Sequence, residues 1–184
     1  MKKIIAITGS FNPVTVAHYR ILSDAVERYE ADEGVFIAVD DKYLVRKSLL
    51  KNKTPSNFML PEPLRGDMLR SLAEENPKLR YWGVELGGVY SNTYKTLLKL
   101  MKDKRKEYPG EEIKLYFLFG ADKLRNIPRW TDAEAMSELC EYLVYARHFD
   151  LEQMIASDPF LVERRDRIHL LQVENEDLED VSST

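Results

Sequence analysis

The sequence predicts an α/β fold, a doubly wound parallel sheet covered by helices on both faces, and three observations carry that expectation. Short runs rich in β-branched and aromatic residues alternate with longer stretches of helical apolar spacing. The first run, Ile4 to Thr8, is unbroken in apolar character, as strands buried on both faces are. The turn after it, Gly9 to Pro13, passes directly into an amphipathic pattern, the strand-to-helix order of a parallel sheet.

The elements follow in that alternation. Ala17, Ile21, Leu22 and Ala25 mark a helix that runs to about Tyr29, and Val35 to Val39 reads as the second strand. Asp40 to Pro63 is polar, basic and long for a loop inside a compact domain, a segment of the functional or disordered kind whose length and lysines suit a lid over a phosphate. Leu64, Met68 and Leu72 place a helix that ends near Asn76-Pro77, with a strand over Leu79 to Leu86 beyond it. A helix from Thr93 to about Lys106 leads to the apolar strand Ile113 to Phe119. Thr131 and Glu134 read as a capping box before a short helix, and Glu141 to Ala146 as the next strand. Asp150 with Gln153 is a further capping pair, Ser157-Asp158-Pro159 opens another helical turn, and Ile168 to Val173 is the last strand.

Composition narrows the functional classes. The 184 residues suit one domain, and 27 basic against 31 acidic residues give a net charge of −4. That balance predicts no nucleic-acid partner and no membrane surface, so any bound anion must be held locally. The basic-apolar amino terminus is too short for a signal peptide, no stretch spans a bilayer, and a cytoplasmic location follows by elimination. The one cysteine, Cys140, lies in an apolar stretch and reads as a buried thiol in a reducing compartment. A homo-oligomer is compatible with this composition, which does not fix the oligomeric state. The dinucleotide fingerprint, the phosphate loop and paired-cysteine or histidine metal patterns are all absent from the sequence.

Two motifs carry the chemistry. Gly9-Ser10-Phe11-Asn12-Pro13-Val14-Thr15-Val16-Ala17-His18 sits between the first strand and the first helix. A glycine-containing turn there offers backbone N–H groups and a positive helix end to a phosphate, and His18 projects from the first helical turn. Taken alone, Gly9 and Pro13 would only shape a turn and His18 would be an ordinary helix histidine. Phe119-Gly120-Ala121-Asp122, followed by Ile127-Pro128-Arg129-Trp130, is the second motif. Gly120 permits close approach to a strand end, Asp122 can accept hydrogen bonds from ribose hydroxyls, and Trp130 can stack on a flat heterocycle. As bland chemistry the same residues make a strand-end turn, a helix cap and a core indole.

The order G-S-F-N-P-x-T-x-x-H resembles the amino-terminal signature of the nucleotidyltransferase superfamily. The G-A-D then W segment resembles its nicotinamide/nicotinate mononucleotide adenylyltransferase branch. Thr15 stands where many members have a first histidine, and Ser10-Phe11-Asn12 also departs from the common bacterial wording; both are similar to eukaryotic and archaeal-type members. Ser91 to Leu97, with Thr93, resembles the stretch that contacts the pyridine base, and the segment with Asp41, Tyr43, Arg46 and Lys47 loosely resembles the one whose lysine meets the mononucleotide phosphate. Ser182-Ser183-Thr184 is similar to the triphosphate-holding S-S-T-x-x-R motif, with the chain stopping before an arginine.

The resemblance implies one Rossmann-like nucleotidyltransferase domain over residues 1–184, short of its family's last motif at the carboxyl end. It implies transfer of the AMP part of ATP to nicotinamide or nicotinate mononucleotide, with pyrophosphate released and Mg2+ bound mainly through the ATP phosphates. It assigns His18, Thr15 and Ser10 to catalysis, with no residue acting as a metal ligand. ATP would be bound by Gly9, Ser10, Phe11, His18, Gly120, Asp122, Ser182, Ser183 and Thr184, and the mononucleotide by Asn12, Lys47, Thr93 and Trp130. Two alternatives stay open: an adenylyl- or cytidylyltransferase with another phosphorylated acceptor, and a catalytically weak nucleotide-binding regulatory module.

Overall fold

The computed structural model describes residues 1–42, 45, 60–83, 92–146 and 150–172. Six strands form one sheet: β1 (Lys2–Gly9), β2 (Glu33–Ala38), β3 (Leu79–Tyr81), β4 (Ile113–Gly120), β5 (Glu141–Ala146) and β6 (Ile168–Gln172). Their order is β3-β2-β1-β4-β5-β6 and every pairing is parallel. This is the classical doubly wound order, in which the chain direction across the sheet reverses between β1 and β4. Ligands in such sheets bind beyond the carboxyl ends of the strands at that reversal.

The strands are apolar on both sides because both sides are covered. Ile4 and Ala6 of β1 join Val35, Ile37, Leu115 and Phe117 in one core. Ile5 and Ile7 join Phe36, Tyr116, Leu118 and Leu143 in the other, the period-two alternation of a pleated strand. Helices α1 (Val16–Arg28) and α2 (Glu62–Glu74) supply the second core through Ile21, Leu22, Ala25, Leu69 and Ala73. Helix α3 (Thr93–Glu107) and the short α4 (Ala121–Leu124), α5 (Ala133–Leu139), α6 (Leu151–Ala156) and α7 (Pro159–Glu163) supply the first through Leu97, Leu124, Met136, Ile155 and Leu161. Gly34 of β2 is fixed by this packing, since a Cβ there would meet Leu79 and Val26 side chains at 2.7 Å.

Most elements fall where the sequence puts them, and the differences have physical causes. The strand expected over Leu79 to Leu86 is described only as Leu79–Tyr81, its remainder lying partly outside the described residues. Pro61 is the N-cap of α2, so Pro63 belongs to the helix and not to the preceding loop; proline fits a first turn whose N–H groups lack helical acceptors. The expected Thr131 and Glu134 capping box is replaced by Asp132 as N-cap, in a left-handed conformation at φ 62° with no side-chain cap. An aspartate tolerates that region, and its carboxylate instead accepts from the Asn92 side chain at 3.1 Å. Asp150 and Asp158 cap α6 and α7 as expected, accepting from Gln153 N at 3.0 Å and Phe160 N at 2.9 Å. Cys140 is buried, its thiol pushed up to about 12 by that burial.

The buried row of α2 also differs from the expected one. Arg65, Leu69 and Ala73 face inward, whereas Leu64 is 44% exposed and Met68 and Leu72 are only partly buried. The row that looks more apolar in sequence lies one residue away from the buried one, and the packing partner selects between them.

Candidate functional site

The β1-to-α1 turn is built by local chemistry. Thr15 is the N-cap of α1 with extended backbone (φ −121°, ψ 164°), and His18 takes the third helical position, where a capping box usually has Glu or Gln. The Thr15 N–H donates to His18 Nδ1 at 3.0 Å, and Thr15 Oγ1 lies 2.8 Å from the same nitrogen. A ring nitrogen that accepts an N–H carries no proton of its own, so the neutral imidazole holds its proton on Nε2. Burial, then the charge of Lys123, lower the His18 pKa from 6.5 to about 4. At neutral pH His18 is therefore an uncharged Nε2–H donor within the positive end of a helix.

Phe11 braces that turn. It carries φ 44°, a region costly for a bulky residue, and its buried ring packs edge-on to His18 (5.1 Å, 78°) and Phe36 (5.9 Å, 86°). The ring is core, so what Phe11 can offer a nucleotide is its backbone. Ser10 is 5% exposed, and its carbonyl accepts from Arg65 at 2.7 Å. The Asn12 side-chain oxygen accepts the Leu60 N–H at 2.8 Å, tying the turn to the entry of α2. Gly9 ends β1, and its carbonyl accepts from Val39 N at 3.0 Å.

The second motif lies on the neighbouring strand. Register Ile7↔Leu118 sets Gly9 and Gly120 at the same edge of the sheet. Gly120 lets Asp122 lie close to the strand end, because a Cβ there would stand 2.7 Å from Asp122 Oδ1 and 3.3 Å from the Tyr145 ring and would push the carboxylate aside. Asp122 is exposed; burial, then the charge of Asp122, push the Tyr145 phenol up to about 12. Lys123 follows in α4, at the end of the strand beside β1, and its charge is the second cause of the lowered His18 pKa. The site therefore sets a hydrogen-bond donor and a cation against an adjacent carboxylate, a pattern suited to phosphates on one side and hydroxyls on the other.

Trp130 is half-buried and packs on Phe117, ring centroids 6.3 Å apart. Thr93 opens α3 directly after its N-cap Asn92, whose side chain reaches Asp132, two residues beyond Trp130. Gly9, Ser10, Phe11, Asn12, Thr15 and His18 thus share one turn, Gly120 and Asp122 the adjacent strand end, and Thr93 and Trp130 lie on segments joined by that bond. Lys47, Ser182, Ser183 and Thr184 lie outside the described residues, as does most of the expected lid over Asp40 to Pro63.

Sequence reasoning missed two residues. Lys123 directly follows Gly120-Ala121-Asp122, and a cation beside a nucleotide motif was the available signal. Arg65 was hidden because its helix row was not the one that looked apolar. Among the described residues, no three or more His, Cys, Asp or Glu side chains are grouped to hold a metal ion, and no helix is long and apolar enough to cross a membrane.

A doubly wound sheet with a glycine turn and a helix-start histidine at its strand reversal is the arrangement that the resemblance to nucleotidyltransferases implies. The chain belongs to the cytidylyltransferase-like family, whose model it matches over residues 6–184. Among similar sequences, two relatives named "Probable nicotinate-nucleotide adenylyltransferase" come from Clostridium acetobutylicum and Lachnoclostridium phytofermentans. The first is 24% identical over 164 residues, covering 88% of this chain and 74% of the relative. The second is 27% identical over 178 residues, covering 94% and 80%. The fold is shared with the Plasmodium falciparum nicotinic acid mononucleotide adenylyltransferase complexed with NaAD, at a TM-score of 0.65 and 18% identity, covering 95% of this chain and 77% of that one.

Proposed function

We propose that this chain transfers the AMP part of ATP to a pyridine mononucleotide, with nicotinate mononucleotide preferred over nicotinamide mononucleotide, and releases pyrophosphate. The observation that supports this reading is that His18 follows β1 and Lys123 follows β4, the two neighbouring strands at the reversal, with Asp122 directly before Lys123. The names of the relatives favour the nicotinate acceptor.

Adenylyl transfer needs the mononucleotide phosphate in line with the α-phosphorus and stabilisation of the charge that leaves with pyrophosphate. No protein nucleophile is required. His18 Nε2–H would donate to the α-phosphate, Lys123 would neutralise the departing phosphates, and Thr15 would hold the imidazole in the required tautomer. Asp122 would accept from the ribose, and Trp130 would offer a partly exposed indole to the flat base. Mg2+ would arrive on the nucleotide, held by phosphate oxygens and water, and would supply charge neutralisation there.

Pyrophosphate release tests the reading. ATP with nicotinate mononucleotide should give stoichiometric pyrophosphate, more slowly with nicotinamide mononucleotide, and none without an acceptor. Turnover with CTP or only with a different phosphorylated acceptor would replace the reading, and no release with any pair would leave a nucleotide-binding module.

A further inference from the structure

Behind the His18 turn lies an arginine with no contact to solvent. Arg65 of α2 is 0% exposed, and its guanidinium reaches acceptors from two loops: Ser10 O at 2.7 Å, Val39 O at 2.8 Å and Asp41 Oδ1 at 2.7 Å. Its Nε is buried without a hydrogen-bond partner, and the Asp41 side chain is 45% exposed. Packing does not call for this residue. Its row continues as Leu69 and Ala73, and an apolar side chain there would avoid desolvating a charge.

What an apolar residue cannot do is bridge. Ser10 follows β1 and Val39 follows β2, neighbouring strands already joined at this edge by Val39 N to Gly9 O at 3.0 Å. The planar guanidinium holds donors in a fixed fork, so one side chain can grip both carbonyls and fix their directions. Peptide planarity carries the Ser10 carbonyl direction into Phe11, whose unfavourable φ of 44° must be held in place from outside. The Phe11 ring then meets His18 at 5.1 Å.

We infer that Arg65 is a positioning residue whose forked bonds to the Ser10 and Val39 carbonyls lock the turn carrying His18 to the loop after β2. The inference rests on the adenylyl-transfer reading for its kinetic consequence, and on the unliganded chain for its structural one.

Arg65→Lys keeps the charge but loses the planar fork; Arg65→Met keeps an unbranched stem and removes both. With ATP and nicotinate mononucleotide, each folded variant should show kcat lowered about 10-fold to 100-fold, as small misplacements of reacting groups do, with either KM changed less than about threefold. In the absence of substrates, the backbone amide shift of Phe11 and the ring-nitrogen shifts of His18 should move in both variants, while amides of β5 stay in place. Unchanged kcat in Arg65→Met, or unchanged Phe11 and His18 shifts in Arg65→Lys, overturns the inference. If the wild type itself releases no pyrophosphate, the functional reading fails, and the ligand-free shifts still decide the role of Arg65.

Discussion

The Thr15 N–H donates to Nδ1 of His18 at 3.0 Å, and this single bond occupies one of the two ring nitrogens. It leaves Nε2–H as a donor, in an imidazole that burial and Lys123 keep uncharged. An anionic ligand that offsets the Lys123 charge would remove the second of those causes.

Replacing His18 by alanine should lower kcat by roughly 100-fold or more with ATP binding largely kept, because the donor acts chiefly as charge develops. Steady-state kinetics on the folded variant check this, and an unchanged kcat removes His18 from the chemistry.

The lowered pKa of His18 has a stability consequence with a definite sign. Between pH 6.5 and about 4 the unfolded imidazole is protonated and the folded one is not. The unfolded state binds the extra proton, so this group destabilises the fold as pH falls through that window and contributes nothing above it. The loss is at most about 3 kcal/mol. Urea unfolding should show the wild type losing on the order of 1–3 kcal/mol more than His18→Gln between pH 7 and pH 4.5.

Lys123→Met should raise the His18 pKa, since one of its two depressing causes disappears, while burial still holds it below 6.5. The KM for ATP should rise about 10-fold, the scale of one charge-assisted contact. An imidazole titration that stays near 4 would show that the two residues do not sense each other.

Gly120→Ala should leave the fold intact but displace Asp122, whose Oδ1 would lie 2.7 Å from the new Cβ. ATP affinity should fall roughly 10-fold if Asp122 holds the ribose, about one hydrogen bond. Calorimetric titration with ATP is the measurement, and wild-type affinity would relieve Asp122 of that role.

Trp130→Ala separates core packing from the proposed stacking on a ligand. Its packing on Phe117 predicts a loss of about 1–3 kcal/mol in denaturant unfolding. Its partly exposed face predicts weaker binding of the mononucleotide than of ATP. Equal weakening of both ligands would make Trp130 a core residue only.

The strands, the first helix and the two glycine motifs were legible in the chain because their signals are local. The unbroken apolar run over Ile4 to Ile7, the Gly9-to-Pro13 turn and the Asp150 and Asp158 caps depend on residues a few positions apart. Those signals determined an α/β protein with a glycine-containing turn between its first strand and its first helix. Tertiary structure decided the rest. Pairing β1 with β4 joins segments about a hundred residues apart, and that pairing makes the strand before Lys123 the neighbour of the strand before His18. The inward row of α2 depends on what it packs against, which is how Arg65 came to be buried while Leu64 is exposed. Likewise the charge state of His18 depends on desolvation by neighbours distant in sequence, and desolvation is a property of the assembled core that residue spacing does not encode.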